Sequence, residues 1–100
     1  MKHLLFMTLP AIIFTTCAHA DDRVARDWAT GCIACHGTGK QQGTIPSLTG
    51  RERSAIVAAM QEFRDGHRPA AIMHQIAKGY TPVQIEVIAD YFSRQNPATE

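Results

Sequence analysis

Cys32-Ile33-Ala34-Cys35-His36 narrows what this chain can become more than any other stretch. Two thiols separated by two residues, with an imidazole directly behind them, put three reactive side chains into five positions. The only other cysteine, Cys17, lies in a leader segment described below. A disulfide across a two-residue spacer closes a tiny loop and constrains the unfolded chain least. A domain of this size is marginal on its own core and usually needs a staple. The staple therefore has to come from another chemistry of these residues.

The first twenty residues read as an export signal. Lys2 and His3 give a positive start, Leu4 to Phe14 an apolar stretch, and Ala18-His19-Ala20 an A-x-A cleavage site. Phe14-Thr15-Thr16 is a poor match to a lipoprotein signal, so Cys17 is not expected to carry lipid. Cleavage after Ala20 leaves one domain over 21–100, exported to the periplasm, with Cys32 and Cys35 as its cysteines. Losing Lys2 leaves nine basic and nine acidic side chains. That balance lacks the basic footprint a nucleic-acid binder needs. No apolar run reaches the roughly 18 residues of a membrane-spanning helix.

Beyond the leader the periodicity is helical throughout, which predicts an all-α domain of about four helices. Val24 and Trp28 are spaced i, i+4 in a short helix over 23–30, with Gly31 as its stop. Residues 37–44 read as a loop by composition. Gly39-Lys40 lacks the following Ser or Thr and the preceding strand of a phosphate loop. Thr49 and Glu52 fit a capping box opening a helix whose apolar face is Ile56, Ala59, Met60 and Phe63, ended by Gly66. A short helix follows Pro69 and runs to about Lys78, with Gly79 as its stop. The last helix has Thr81 as N-cap, Pro82 at its first position and Gln84 closing the box. Its stripe is Ile85, Ile88, Ala89 and Phe92, and Pro97 is expected to end it.

The Cys32–His36 pentapeptide matches the C-x-x-C-H pattern of covalent c-type haem attachment. Each thiol adds across a porphyrin vinyl group to form a thioether, and the tether sets His36 beneath the iron. Export of the chain fits such maturation. A redox dithiol normally sits at a strand-to-helix junction, and no strand precedes this pair. Tetrahedral zinc wants four ligands, and His67 and His74 complete no common spacing. A haem burying about 400 Å² of apolar surface contributes roughly 10 kcal/mol as an upper figure. That is comparable to the ~5–15 kcal/mol net stability of a small domain. The haem-free chain is therefore expected to be largely unfolded.

A second axial ligand has to come from Met60, Met73, His67 or His74. Met60 shares the apolar stripe of Ile56 and Phe63, where core packing is its ordinary use. His67 stands in the polar run Arg64-Asp65-Gly66-His67-Arg68. His74 neighbours Met73 and points to a different side of a helix. Met73 lies between Ile72 and Ile76-Ala77, an apolar setting suited to a haem.

The sequence resembles the class I c-type cytochromes, and among them the haem subunit of flavocytochrome c sulfide dehydrogenase and related small periplasmic cytochromes. The residues carrying the resemblance are Cys32 to Thr38, Ile45-Pro46-Ser47-Leu48, Phe63 to Met73, Ile76 to Tyr80, and Ala89-Asp90-Tyr91-Phe92. The resemblance implies a single haem c anchored at Cys32 and Cys35, with His36 and Met73 as axial ligands. It implies that the Pro46 carbonyl receives the imidazole N–H. It places Trp28 and Tyr91 where first and last helices cross, and Val24 where many members carry glycine. A His/Met iron has no open position and a raised potential, which suits one-electron transfer rather than catalysis. The implied partner is a flavoprotein subunit that oxidises sulfide, with another cytochrome as acceptor. The alternative is a free soluble cytochrome c that donates to a terminal oxidase or reductase. A haem enzyme or sensor with open iron requires that Met73 does not bind.

Overall fold

The computed structural model describes residues 18–40 and 43–97. Four helices make the fold: α1 (Ala18–His36), α2 (Arg53–Asp65), α3 (Met73–Lys78) and α4 (Pro82–Ser93). Most of the expected leader, residues 1–17, lies outside the described residues, and Ala18-His19-Ala20 begins α1. No helix among the described residues is long and apolar enough to cross a membrane.

Helix α4 is the centre of the packing. It contacts both α1 and α2, and α3 packs on α2. The four residues of its expected stripe, Ile85, Ile88, Ala89 and Phe92, are all at most 2% exposed. Ala29 of α1, Ile56 and Met60 of α2 and Ala77 of α3 complete the same buried cluster. Both halves of the α4 capping box are present. Gln84 N–H donates to Thr81 Oγ1 at 3.2 Å, and Gln84 Oε1 accepts from Thr81 N–H at 2.9 Å. The helix ends at Ser93, four residues before Pro97. Pro97 instead packs against Gly50: a Cβ built on Gly50 would meet its Cδ at 3.1 Å. Gly50 also has φ 72 and donates its N–H to Phe92 O at 2.9 Å, so only glycine closes the loop onto the end of α4 there.

Two expected signals belong elsewhere. Gly31 does not stop α1, which continues to His36. A Cβ on Gly31 would come within 3.1 Å of the Tyr80 hydroxyl. The glycine is thus a packing concession inside the helix, accepted at about 1 kcal/mol of helix propensity. The stop is Gly37, with φ 72 and its N–H on Ile33 O at 2.8 Å. The capping box at Thr49 and Glu52 does not form either. Glu52 is the N-cap of α2 and makes no side-chain cap bond, because Thr49 is engaged in the preceding loop. Gly66 ends α2 in the left-handed conformation as expected, and Gly79 ends α3. The segment after Pro69 stays non-helical until Met73.

Candidate functional site

Because α1 runs through Gly31, the pentapeptide occupies its last turn and a half. Cys32, Cys35 and His36 then stand at i, i+3 and i+4, on one side of a helix. Cys32 is half-buried against the core cluster and Cys35 is exposed. Burial pushes the Cys32 thiol above its ordinary pKa. His36 is buried, 9% exposed. Its Nδ1 lies 2.7 Å from Pro46 O. A carbonyl can only accept, so Nδ1 carries the proton and donates, and Nε2 of the neutral ring keeps its lone pair. That is the tautomer a metal-ligating histidine needs.

Pro46 sits in the loop between α1 and α2, which doubles back on the end of α1. Met73 is the first residue of α3, half-buried and packed against the same cluster as Cys32. Met60 is buried in that core, 8% exposed, beside Ile56. His67 is exposed. His74 is half-buried, and its Nδ1 is the one buried side-chain N or O atom without a hydrogen-bond partner among the described residues. Trp28 and Tyr91 are half-buried against the core, and the Tyr91 ring meets Phe92 edge-on at 5.4 Å. Val24 stands 44% exposed, and Ala25 and Ala29 are the buried small residues of α1. The α1 seam is therefore set by those alanines and not by position 24.

Tyr80 is the residue the sequence reading left without a role. It packs on the cluster beside Cys32, and burial, then the Cys32 charge, raise its phenol pKa. Nothing local announces it, since its contact with Gly31 spans almost fifty residues.

The donor set decides which cofactor chemistry fits. Among the described residues no three His, Cys, Asp or Glu side chains converge as zinc requires. Two thiols on one helical side, with an imidazole directed by a carbonyl, suit a group that is tethered through carbon and ligated once from this helix.

Known proteins agree. The chain is 42% identical over 62 residues to the cytochrome subunit of sulfide dehydrogenase of Chlorobaculum tepidum, covering 61% of this chain and 56% of that protein. It is 35% identical over 80 residues to cytochrome c-554(548) of Halomonas halodenitrificans, covering 75% of this chain and 96% of the relative. The solved cytochrome c4 of Acidithiobacillus ferrooxidans superposes with a TM-score of 0.66 at 30% identity, over 76% of this chain and 51% of that one. The chain thus spans little more than half the length of the sulfide dehydrogenase subunit and of the cytochrome c4. No family model matches it. Helical architecture, a C-x-x-C-H motif closing the first helix, and a near full-length relative together show that the chain belongs to the class I c-type cytochromes, electron-transfer proteins with covalently bound haem c.

Proposed function

We propose that this chain is an exported one-electron carrier in which Cys32 and Cys35 hold the haem through thioethers, His36 Nε2 ligates the iron, and Met73 fills the opposite axial position. The observation that carries the reading is the 2.7 Å contact of His36 Nδ1 with Pro46 O. It fixes the tautomer and presents the other nitrogen. The haem supplies a one-electron couple. The residues supply the rest: Cys32 and Cys35 fix position, Pro46 holds the imidazole and raises its basicity, and the Met73 thioether favours the reduced state. With His36 and Met73 both committed to the iron, a bound haem would offer no open position to a substrate.

The partner we propose is a sulfide-oxidising flavoprotein subunit, because a relative at 42% identity is named the cytochrome subunit of sulfide dehydrogenase. Electrons then pass to another cytochrome or redox protein. A free soluble carrier, donating to an oxidase or reductase, is the second reading, favoured by the 96% coverage of cytochrome c-554(548). The leader and its Ala18-His19-Ala20 site support periplasmic export with cleavage after Ala20, and a single domain over 21–100.

Pyridine haemochrome analysis of the mature protein is expected to give one c-type haem. Reduced wild type is expected to bind carbon monoxide slowly and Met73→Ala rapidly. If His74 is the ligand, His74→Ala opens the iron and Met73→Ala leaves it closed. Rapid carbon monoxide binding by the wild type would mean an open site and would favour a sensor or enzyme. Co-purification with a flavoprotein separates the subunit from the free carrier.

A further inference from the structure

We infer that Thr49 is a positioning residue for the iron ligand: its hydroxyl braces the loop that holds the Pro46 carbonyl against His36. The inference rests on the proposed reading of His36 as an axial ligand.

Thr49 is 8% exposed, one of two buried polar side chains among the described residues, and His36 is the other. Its Oγ1 donates to Thr38 O at 2.7 Å. Two residues earlier, Ser47 Oγ donates to Gly39 O at 2.8 Å and accepts from Thr49 N–H at 3.3 Å. The His36–Pro46 contact is therefore the first of three rungs, 36–46, 39–47 and 38–49, that fold the loop back on the end of α1. Arg51 Nε donates to Ser47 O at 2.6 Å, and Gly50 N–H anchors the far end to Phe92 O at 2.9 Å.

Ile45 and Pro46 are exposed and Leu48 packs on the core cluster, so apolar area anchors the loop two residues past Pro46 and leaves the aim of the Pro46 carbonyl to directional bonds. The hydroxyl bonds supply that constraint. A buried hydroxyl with one good acceptor has a directional role, and removing it leaves Thr38 O short of a partner. Loosening the loop lengthens the Nδ1–H···O contact, makes the imidazole less basic, and so favours reduced over oxidised iron.

The test uses the mature holoprotein in a spectroelectrochemical titration. Thr49→Val, which keeps the shape and drops the hydroxyl, is expected to shift the oxidised-to-reduced ratio at fixed ambient potential about threefold to tenfold toward the reduced form; tenfold is 59 mV for one electron. Thr49→Ser is expected to restore the wild-type ratio within about twofold. A merely structural Thr49 lowers the melting temperature and leaves the ratio alone, and that result overturns the inference. So does a Thr49→Ser shift as large as that of Thr49→Val. If Thr49→Val does not accumulate, Ser47→Ala removes the neighbouring rung and carries the same expectation. A His36→Ala protein with an unchanged haem spectrum overturns the axial reading and this inference with it. A His36-dependent spectrum with an unmoved Thr49→Val ratio overturns this inference alone.

Discussion

On the α4 side the chain closes on itself. Ile85, Ile88, Ala89 and Phe92 are buried in one cluster with Ala29, Ile56, Met60 and Ala77. Around His36 and ahead of α3, loops do the enclosing. The loop over 37–50 has Leu48 packed on the core cluster and is otherwise folded back by single directional bonds, Ile72 is 61% exposed, and His74 Nδ1 finds no partner among the described residues. One side is stabilised by area, which tolerates imprecision. The other is held largely by hydrogen-bond geometry, and the haem would add apolar area to it. The two sides therefore fail differently, and each of the following changes tests that contrast.

The largest effect is expected from removing the tether. Cys32→Ala/Cys35→Ala loses the covalent haem and with it a contribution on the scale of ~10 kcal/mol, about the whole stability of a small domain. Far-ultraviolet circular dichroism should show most of the helix gone. Full helicity in that variant would mean that the α4 side suffices alone, and the contrast would be wrong.

Next comes the area-held side itself. Phe92 is 1% exposed and its carbonyl receives the Gly50 N–H. Phe92→Ala should cost about 3–5 kcal/mol by thermal unfolding of the holoprotein, with the haem still attached. A loss under about 1 kcal/mol would show that the haem, not α4, organises the core. Thr81→Ala removes one capping bond and is expected to cost about 1 kcal/mol, with no change in reduction potential.

What the sequence made legible follows the same division. The α4 cap and stripe could be read because every partner lies within one or two turns: Thr81 with Gln84, Ile85 with Ile88, Ala89 and Phe92. The attachment motif could be read because its three side chains are contiguous. Gly31 misled because its meaning depends on Tyr80, and Thr49 misled because its acceptor is Thr38, across the loop, and not the helix that follows. Pro46 is ten residues from His36, and no periodicity links them; only the family resemblance pointed to it. Met73 and His74 are adjacent, and composition could not say that the structure would pack one on the core and leave the other's Nδ1 without a partner among the described residues.

The smallest expected effect lies where the two sides meet. Tyr80 packs on the core cluster, and its hydroxyl reaches α1 at Gly31, one residue before Cys32. Burial, then the Cys32 charge, raise its phenol above the ordinary value of 10.0. Thioether formation at Cys32 removes the second cause, and burial remains. A phenol whose folded pKa is raised ionises first in the unfolded chain as pH climbs. Its contribution is therefore present in full below about pH 10 and is lost as pH rises through the folded value. Tyr80→Phe should leave the denaturant midpoint near about pH 8 almost unchanged and reduce the drop in stability expected of wild type above about pH 10. An equal alkaline drop in both proteins would mean that the phenol reaches water in the holoprotein, and that the contact between Tyr80 and the attachment helix does not survive haem binding.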